Sequence, residues 1–291
     1  MWGVSVIAFA LTHLSGDPAA LLLPPSATLE DIELFRRAHG LDRPLPLQYV
    51  EFLGRAVQGD FGRSIRHGVP ALPLVLERLP ATIELAAAAL LIAVAVSLPL
   101  GILAAVRRGS ALDQASLVLS LVGQAFPVFF LGIVLIILFA EDLRWLPASG
   151  RGTPAHLVLP AVALSAFSIA IVTRLLRASL LDVLSSDFIR TARGKGLAER
   201  VLLLRHALKN AALPVVTVIG LQTGALLGGA VITEEVFAYP GMGRLAIQAI
   251  ANRDFAVVQA FVVLMAVVIT GVNLLVDLLY VWLDPRVRIE R

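Results

Sequence analysis

The sequence predicts an all-α polytopic membrane protein of about six transmembrane helices, with one folded basic loop between the fourth and fifth. Three observations carry that expectation. Hydrophobic residues make up 58% of the 291-residue chain and charged residues only 15%, and mean hydropathy is +0.87, too apolar for a soluble domain of this length. The apolar runs are continuous and long enough to cross a hydrocarbon core of ~30 Å, whereas a β-barrel would alternate apolar and polar residues. Basic residues crowd some loops and are scarce in others, as in membrane proteins with a fixed orientation. Cysteine is absent, which excludes disulfides, thiolate metal sites and a cysteine nucleophile.

The first apolar run covers residues 2–14. At about 1.5 Å per residue it reaches only ~20 Å, short of a full span. It reads as the second half of a truncated first transmembrane helix, with a signal peptide or an interfacial stub as alternatives. Against a signal peptide stand the missing basic leader and the poor cleavage site at Leu14 to Pro18. Residues 15–80 are polar and of mixed charge, an extracytoplasmic loop with short helices that forms either a small cap or a solvated connector. Thr28, followed by Glu30 and Asp31, predicts a helix start and Gly40 its stop; Pro44 and Pro46 open a second helix that ends near Gly59 to Gly62.

Residues 81–291 form the transmembrane domain. Its spans are expected at about 81–106, 114–140, 157–176, 213–233 and 255–283, and with residues 2–14 they make six. Pro99 and Pro127 fall inside spans and are expected to kink them. Orientation follows from the short loops. Segments 107–113, 177–212 and 284–291 hold twelve arginines and lysines, and the short loops on the other side hold only Arg144, Arg151, Arg244 and Arg253. The first set is therefore cytoplasmic, together with both termini.

The loop over 187–212 has its own grammar. Asp187 is placed to cap a short helix beginning at Phe188, and Gly194 and Gly196 to stop it. A second helical run is expected from Ala198 to about Ala212, with Pro214 opening the next span. Such a folded basic element suits the grip of a partner. The blander alternative is a basic surface helix lying on anionic lipid.

Other polar residues have structural or functional readings. Glu84 is expected in the first turn of its span, complementing the helix N-terminus, and Arg174 near the cytoplasmic end of its own, snorkelling to the interface. Asn273 and Asp277 are four residues apart in the last span and share a face. An acidic group there needs a basic partner, a wet cavity or the interface; a proton- or ion-coupled secondary transporter would use Asp277 directly. Gly220, Gly224 and Gly228 recur every four residues as a smooth stripe for helix packing or for lining a path. No phosphate loop, zinc-protease or serine-hydrolase motif occurs, and the five histidines fall in no ligand spacing. Neither a catalytic nor a metal site is expected, so any energy must come from another polypeptide.

The run Phe188-Ile-Arg190-Thr-Ala192-Arg-Gly-Lys195-Gly196-Leu resembles the cytoplasmic-loop signature of ABC transporter permeases of the dipeptide/oligopeptide/nickel group. Similar to the same group are Arg205-His-Ala-Leu-Lys-Asn210-Ala-Ala-Leu-Pro214, Glu235-Val-Phe-Ala-Tyr-Pro240-Gly-Met-Gly243, Leu146-Pro-Ala-Ser-Gly150, Gly40-Leu-Asp-Arg-Pro-Leu-Pro46, and Val276-Asp277-Leu-Leu-Tyr280 with Asp284-Pro285-Arg286. Gly194 departs from the pattern, standing where alanine is common.

The resemblance implies the permease subunit with the long first external loop, in an ATP-driven, binding-protein-dependent importer of peptides or related small solutes. It implies that Asp187, Phe188, Ile189, Arg190, Thr191, Ala192, Arg193, Lys195 and Gly196 form a coupling helix docked on an ATPase subunit. Phe188 and Ile189 would be its apolar anchor, with Arg190, Arg193 and Lys195 at the rim. Implied partners are a second homologous permease subunit, two ATP-binding cassette subunits, an extracytoplasmic solute-binding protein and the inner-membrane bilayer, with no nucleic acid. ATP and magnesium would be held by partner subunits, and no cofactor by this chain.

Overall fold

A computed structural model describes residues 2–14, 28–38 and 42–283. The predicted stop at Gly40 and the motif residues Asp284 to Arg286 lie outside the described residues. Among the described residues eleven helices follow one another: α1 Trp2–Leu14, α2 Leu29–Ala38, α3 Leu45–Val57, α4 Ala71–Val106, α5 Ala111–Ala125, α6 Val128–Asp142, α7 Ala155–Leu184, α8 Asp187–Gly194, α9 Glu199–Val236, α10 Met242–Ala251 and α11 Phe255–Leu283. Among the described residues there is no strand, only an isolated bridge between Arg63 and Pro70. Contacts divide the chain into two units, Met1–Thr82 with Pro240–Gly271, and Ile83–Tyr239 with Val272–Arg291.

In the first unit α1 lies against α3. Phe9 meets Tyr49 edge-on at 5.5 Å and Phe52 at 5.9 Å, and the Ser5 and Tyr49 hydroxyls share a 2.8 Å hydrogen bond. Thr28 and Asp31 cap α2 reciprocally. The Asp31 N–H donates to Thr28 Oγ1 at 3.2 Å, while Thr28 N–H and Oγ1–H donate to Asp31 Oδ2 at 2.9 and 2.7 Å, a capping box with aspartate in the glutamate's place. These bonds hold the Asp31 carboxyl below its usual range. Pro44 precedes α3 at a position that needs no helical N–H.

The loop before α4 is tied back to the turn between α10 and α11. Ser64 Oγ donates to Asp254 Oδ2 at 2.5 Å, and Arg253 takes a left-handed conformation at φ 56° so that the chain can turn there. Asp254 is only 2% exposed, so its carboxylate depends on that hydroxyl.

The second unit is built on α7. Gly123 of α5 sits so close that an added Cβ would lie 3.0 Å from the Ala166 carbonyl oxygen. Gly101 of α4 is similarly tight on Leu176, and Gly229 of α9 on Leu164, each at 3.0 Å. Small residues let helix backbones approach where lipid supplies no hydrophobic drive between helices. α6 reaches the same pillar through Leu135, Ile136, Phe139 and Ala140, which pack on Leu159 and Ala163.

Several boundaries differ from the expected ones, each for a local reason. α4 begins at Ala71 rather than 81 and passes through Pro99 without a break; Glu84 is therefore well inside it, and pairs with Arg151 through Nε at 2.9 Å and Nη2 at 2.5 Å. The span expected over 114–140 is two helices, α5 and α6, meeting at 107°. Pro127 forces the preceding Phe126 into an extended conformation, φ −91° and ψ 130°, so a break replaces the expected kink. α7 continues beyond 176 because Arg177 pairs with Asp113 and Leu180 is buried against Leu202 and Ala207.

The separate helix expected over 198–212 is instead continuous with α9, and Pro214 lies inside that helix rather than at its start. The carbonyl that Pro214 leaves without a helical donor belongs to Asn210, on an exposed stretch where solvent can reach it. α4, α7, α9 and α11 are each long and apolar enough to cross a membrane, and the bent pair of α5 and α6 makes a fifth candidate when counted as one span. Of the six expected spans, the thirteen-residue α1 is the one below that length.

Gly123→Ala should destabilise the protein by about 1–3 kcal/mol, because a backbone carbonyl must move. Gly228→Ala, whose Cβ would meet nothing within 4 Å, should stabilise by about 0.5–1 kcal/mol. Thermal unfolding in one detergent compares the two, and equal effects would contradict the packing described.

Candidate functional site

α8 is a short amphipathic helix rooted in the second unit by one face. Ile189 is fully buried with Leu180 of α7, Ala105 of α4, and Leu202, Ala207 and Ala211 of α9; Ala192 packs against the same cluster. Three residues apart, Ile189 and Ala192 share a face. The first turn of α9 widens to a π-helix over Leu202–Ala207, and this wider turn brings Leu202 and Ala207, five apart, into one cluster.

The ends of α8 are held differently from expectation. Ser186, not Asp187, is the N-cap, and it makes no side-chain cap bond; its hydroxyl donates back to the Val183 carbonyl at 2.5 Å. Asp187 is the first helical residue and pairs with Arg190 at 3.2 Å. Gly196 supplies the left-handed turn at φ +78°, while Gly194 remains helical. Across that turn Arg193 grips Glu199 through Nε–H to Oε1 at 2.6 Å and Nη2–H to Oε2 at 3.2 Å. This fork, which raises the Arg193 pKa, straps α8 to the start of α9. The two residues are six apart in sequence, and only the Gly196 turn brings them together.

The outer face of α8 is left open. Phe188 is 48% exposed, and Arg190, Thr191 and Lys195 are exposed with it. Leu197, Val201 and Leu204 are exposed hydrophobics on the segment that follows. The expected anchor pair is therefore divided: Ile189 faces inward, so Phe188 alone presents an apolar ring outward. Arg193 is engaged with Glu199 rather than free at a rim.

The other sequence candidates lie elsewhere. Asn273 seats against Gly224, where an added Cβ would come 3.1 Å from its Oδ1. Gly220 is buried and Gly228 is exposed, so the stripe is not one contact surface; Gly229 makes the close approach to α7. Asp277 is exposed and makes no ion pair among the described residues. No group of three or more His, Asp or Glu residues is placed to hold a metal among the described residues.

Two polar pairings were not foreseen from sequence. Arg177 donates to both Asp113 oxygens, at 2.5 and 2.8 Å, and Asp113 also accepts from Gly109 N–H at 2.9 Å. A carboxylate three residues after the Ser110 cap and an arginine just past the expected end of the span at 176 were the available signals. At the opposite end of the unit, the Glu84–Arg151 pair lies beside buried Tyr239, whose phenol is pushed up to about 12, by burial first and then by the Glu84 charge.

The model of the family described as binding-protein-dependent transport system inner membrane component matches residues 97–289. The chain belongs to this family. It is 42% identical over 294 residues to the probable peptide ABC transporter permease protein y4tP of Sinorhizobium fredii, with 98% of this chain and 94% of that one covered. The glutathione transport system permease protein GsiC of Escherichia coli K12 is also 42% identical, over 286 residues, at the same coverages.

Its fold is similar to a chain of the MetNI methionine ABC transporter in an inward-facing conformation, at TM-score 0.61, 17% identity, and coverage of 72% of this chain and 96% of that one. A chain of an amino acid ABC transporter solved with histidines matches at TM-score 0.54 and 18% identity, covering 74% and 94%. The protein is thus a multi-pass membrane subunit of a transport system, and the secondary-transporter alternative is not favoured.

Ile189→Ala should lower stability by about 2–5 kcal/mol, while Phe188→Ala should leave the melting temperature nearly unchanged. Comparable losses from both would mean that α8 buries the opposite face. The raised Tyr239 pKa makes a second, alkaline prediction. Its stabilising contribution is full below about pH 10, the usual tyrosine value, and is lost as pH rises to about 12; Tyr239→Phe should flatten that decline in pH-dependent melting curves.

Proposed function

We propose that the chain forms half of the translocation path of an ATP-driven importer of peptides or related small solutes, with α8 as the element that receives force from an ATPase subunit. The observation that carries this reading is the division of α8. Ile189 and Ala192 fix it to α4, α7 and α9, while Phe188, Arg190 and Lys195 face outward. A helix held this way moves with the helices beneath it, so closure of docked ATPase subunits would be transmitted to the spans as rigid-body motion. An exposed aromatic flanked by cations also suits docking into an apolar pocket with an acidic rim.

The peptide class rests on the two relatives, whose names specify a peptide and glutathione. The remaining partners in this reading are a second homologous permease subunit, two ATP-binding cassette subunits and an extracytoplasmic solute-binding protein. ATP and magnesium belong on the cassette subunits, with no cofactor on this chain. The α8 loop and both termini face the cytoplasm, supported by the charge bias of the short loops.

The test is Phe188→Ala combined with Arg190→Glu and Lys195→Glu in the reconstituted complex. Uptake should fall at least tenfold, and the ATPase subunits should either dissociate or hydrolyse ATP without solute control. Normal uptake by this variant would remove α8 from the coupling path.

A further inference from the structure

Arg174 and Arg177 are one helical turn apart on α7, yet they are partnered in opposite ways. Arg177 is neutralised by the carboxylate of Asp113, which it grips with two donors. Arg174 instead donates Nη1–H to the neutral amide oxygen of Gln124 at 2.9 Å, and makes no ion pair among the described residues. An amide oxygen orients a guanidinium without cancelling its charge, and among the described residues this bond takes one of the five N–H donors. The side chain is exposed on the surface of this chain.

Its depth is set by the helices that hold it. Asp113 marks the α8 end of α5, where it accepts from the Gly109 loop. Gln124 comes eleven residues later on α5, about 16 Å further along that helix at 1.5 Å per residue, half of a ~30 Å core for a helix that crosses it. Its neighbour Gly123 meets the Ala166 carbonyl, two turns of α7 beyond Arg174 on the side away from Asp113. Arg174 therefore reaches along α5 toward Gln124, away from the Asp113 end.

An ionised group at that depth is costly unless it is paired or faces a wet cavity, and in membrane proteins it marks a site of function. Two residues past Gln124, Phe126 begins the extended break between α5 and α6, and its ring stacks on Phe130 at 5.2 Å. Both rings are 44% exposed. The end of α5 thus holds an oriented cation at Gln124 and, from two residues further on, an open aromatic pair.

We propose that Arg174, held by Gln124, is a receptor for the carboxylate of the transported solute as it passes the α5–α6 break, with Phe126 and Phe130 receiving apolar parts of the same molecule. The inference rests on the peptide reading above and narrows it to solutes carrying a free carboxylate. A guanidinium presents parallel N–H donors that match a carboxylate in a two-point contact. Lipid phosphate offers related chemistry but lies at the membrane surface, about half a core thickness away. An acidic side chain of the second permease subunit is the other source of a carboxylate, and the experiment separates it.

The full importer complex in phosphatidylcholine nanodiscs, without binding protein, is assayed for retention of radiolabelled trialanine and trialanine amide. Wild type should retain trialanine at least about tenfold better than the amide, the scale of a charged hydrogen-bonded contact. Arg174→Gln should abolish the difference and leave amide retention unchanged, and Arg174→Lys should restore part of it. ATPase and second-permease subunits should co-purify with each variant as with wild type, and trialanine uptake by proteoliposomes should follow the same order.

Equal loss for both solutes, an unchanged Arg174→Gln variant, loss of the second permease subunit, or displacement of trialanine by phosphatidylglycerol would each overturn the assignment. Unchanged Arg174→Gln uptake beside normal wild-type uptake would overturn this assignment alone. A wild-type complex that neither retains nor transports trialanine would remove the peptide reading, and this inference with it.

Discussion

The close seating of α4, α5 and α9 on α7 is the constraint on which the rest of the membrane unit depends. Lipid tails are as apolar as leucine side chains, so burial alone gives these helices little reason to associate. Contact must come from fit, and fit is supplied where Gly101, Gly123 and Gly229 meet Leu176, the Ala166 carbonyl and Leu164. At Gly123 the approach is backbone to backbone, which no larger residue permits. Once these helices are seated, the positions of α8, of the α5–α6 break and of the Glu84–Arg151 pair follow from them.

α8 illustrates how a short helix becomes mechanically useful. An eight-residue helix is marginal in isolation, since nucleation fixes several residues for few hydrogen bonds. Here the Ile189 cluster and the Arg193–Glu199 fork hold it from two sides. Neither restraint uses Phe188, Arg190 or Lys195, so the outward face is available without loosening the attachment. The π-turn at the start of α9 serves the same end, directing Leu202 and Ala207 together under Ile189.

Charge is handled differently along one helix. Arg177 and Asp113 cancel each other at the α8 end, where the pair also closes the cap of α5. Arg174 keeps its charge, because Gln124 can accept a hydrogen bond without carrying a negative charge.

Composition and run length alone determined the class of this protein, because crossing a membrane demands continuous apolar helices whatever their arrangement. Local chemistry was legible as well: the Thr28 and Asp31 cap, the turn at Gly196, and the short helix that precedes it. What the sequence could not decide was pairing. Periodicity marked Gly220, Gly224 and Gly228 as a stripe, but which glycine touches a neighbour depends on where that neighbour lies: Gly224 meets Asn273, Gly228 meets nothing, and Gly229, outside the stripe, closes on Leu164 of α7. Apolar runs likewise ended the reading of α7 at residue 176, since the buried partners of Arg177 and Leu180 come from other helices. The same reason divides Phe188 from Ile189. Adjacent in sequence and equally apolar, they take opposite faces of α8, and only the packed helices beneath it determine which one is buried.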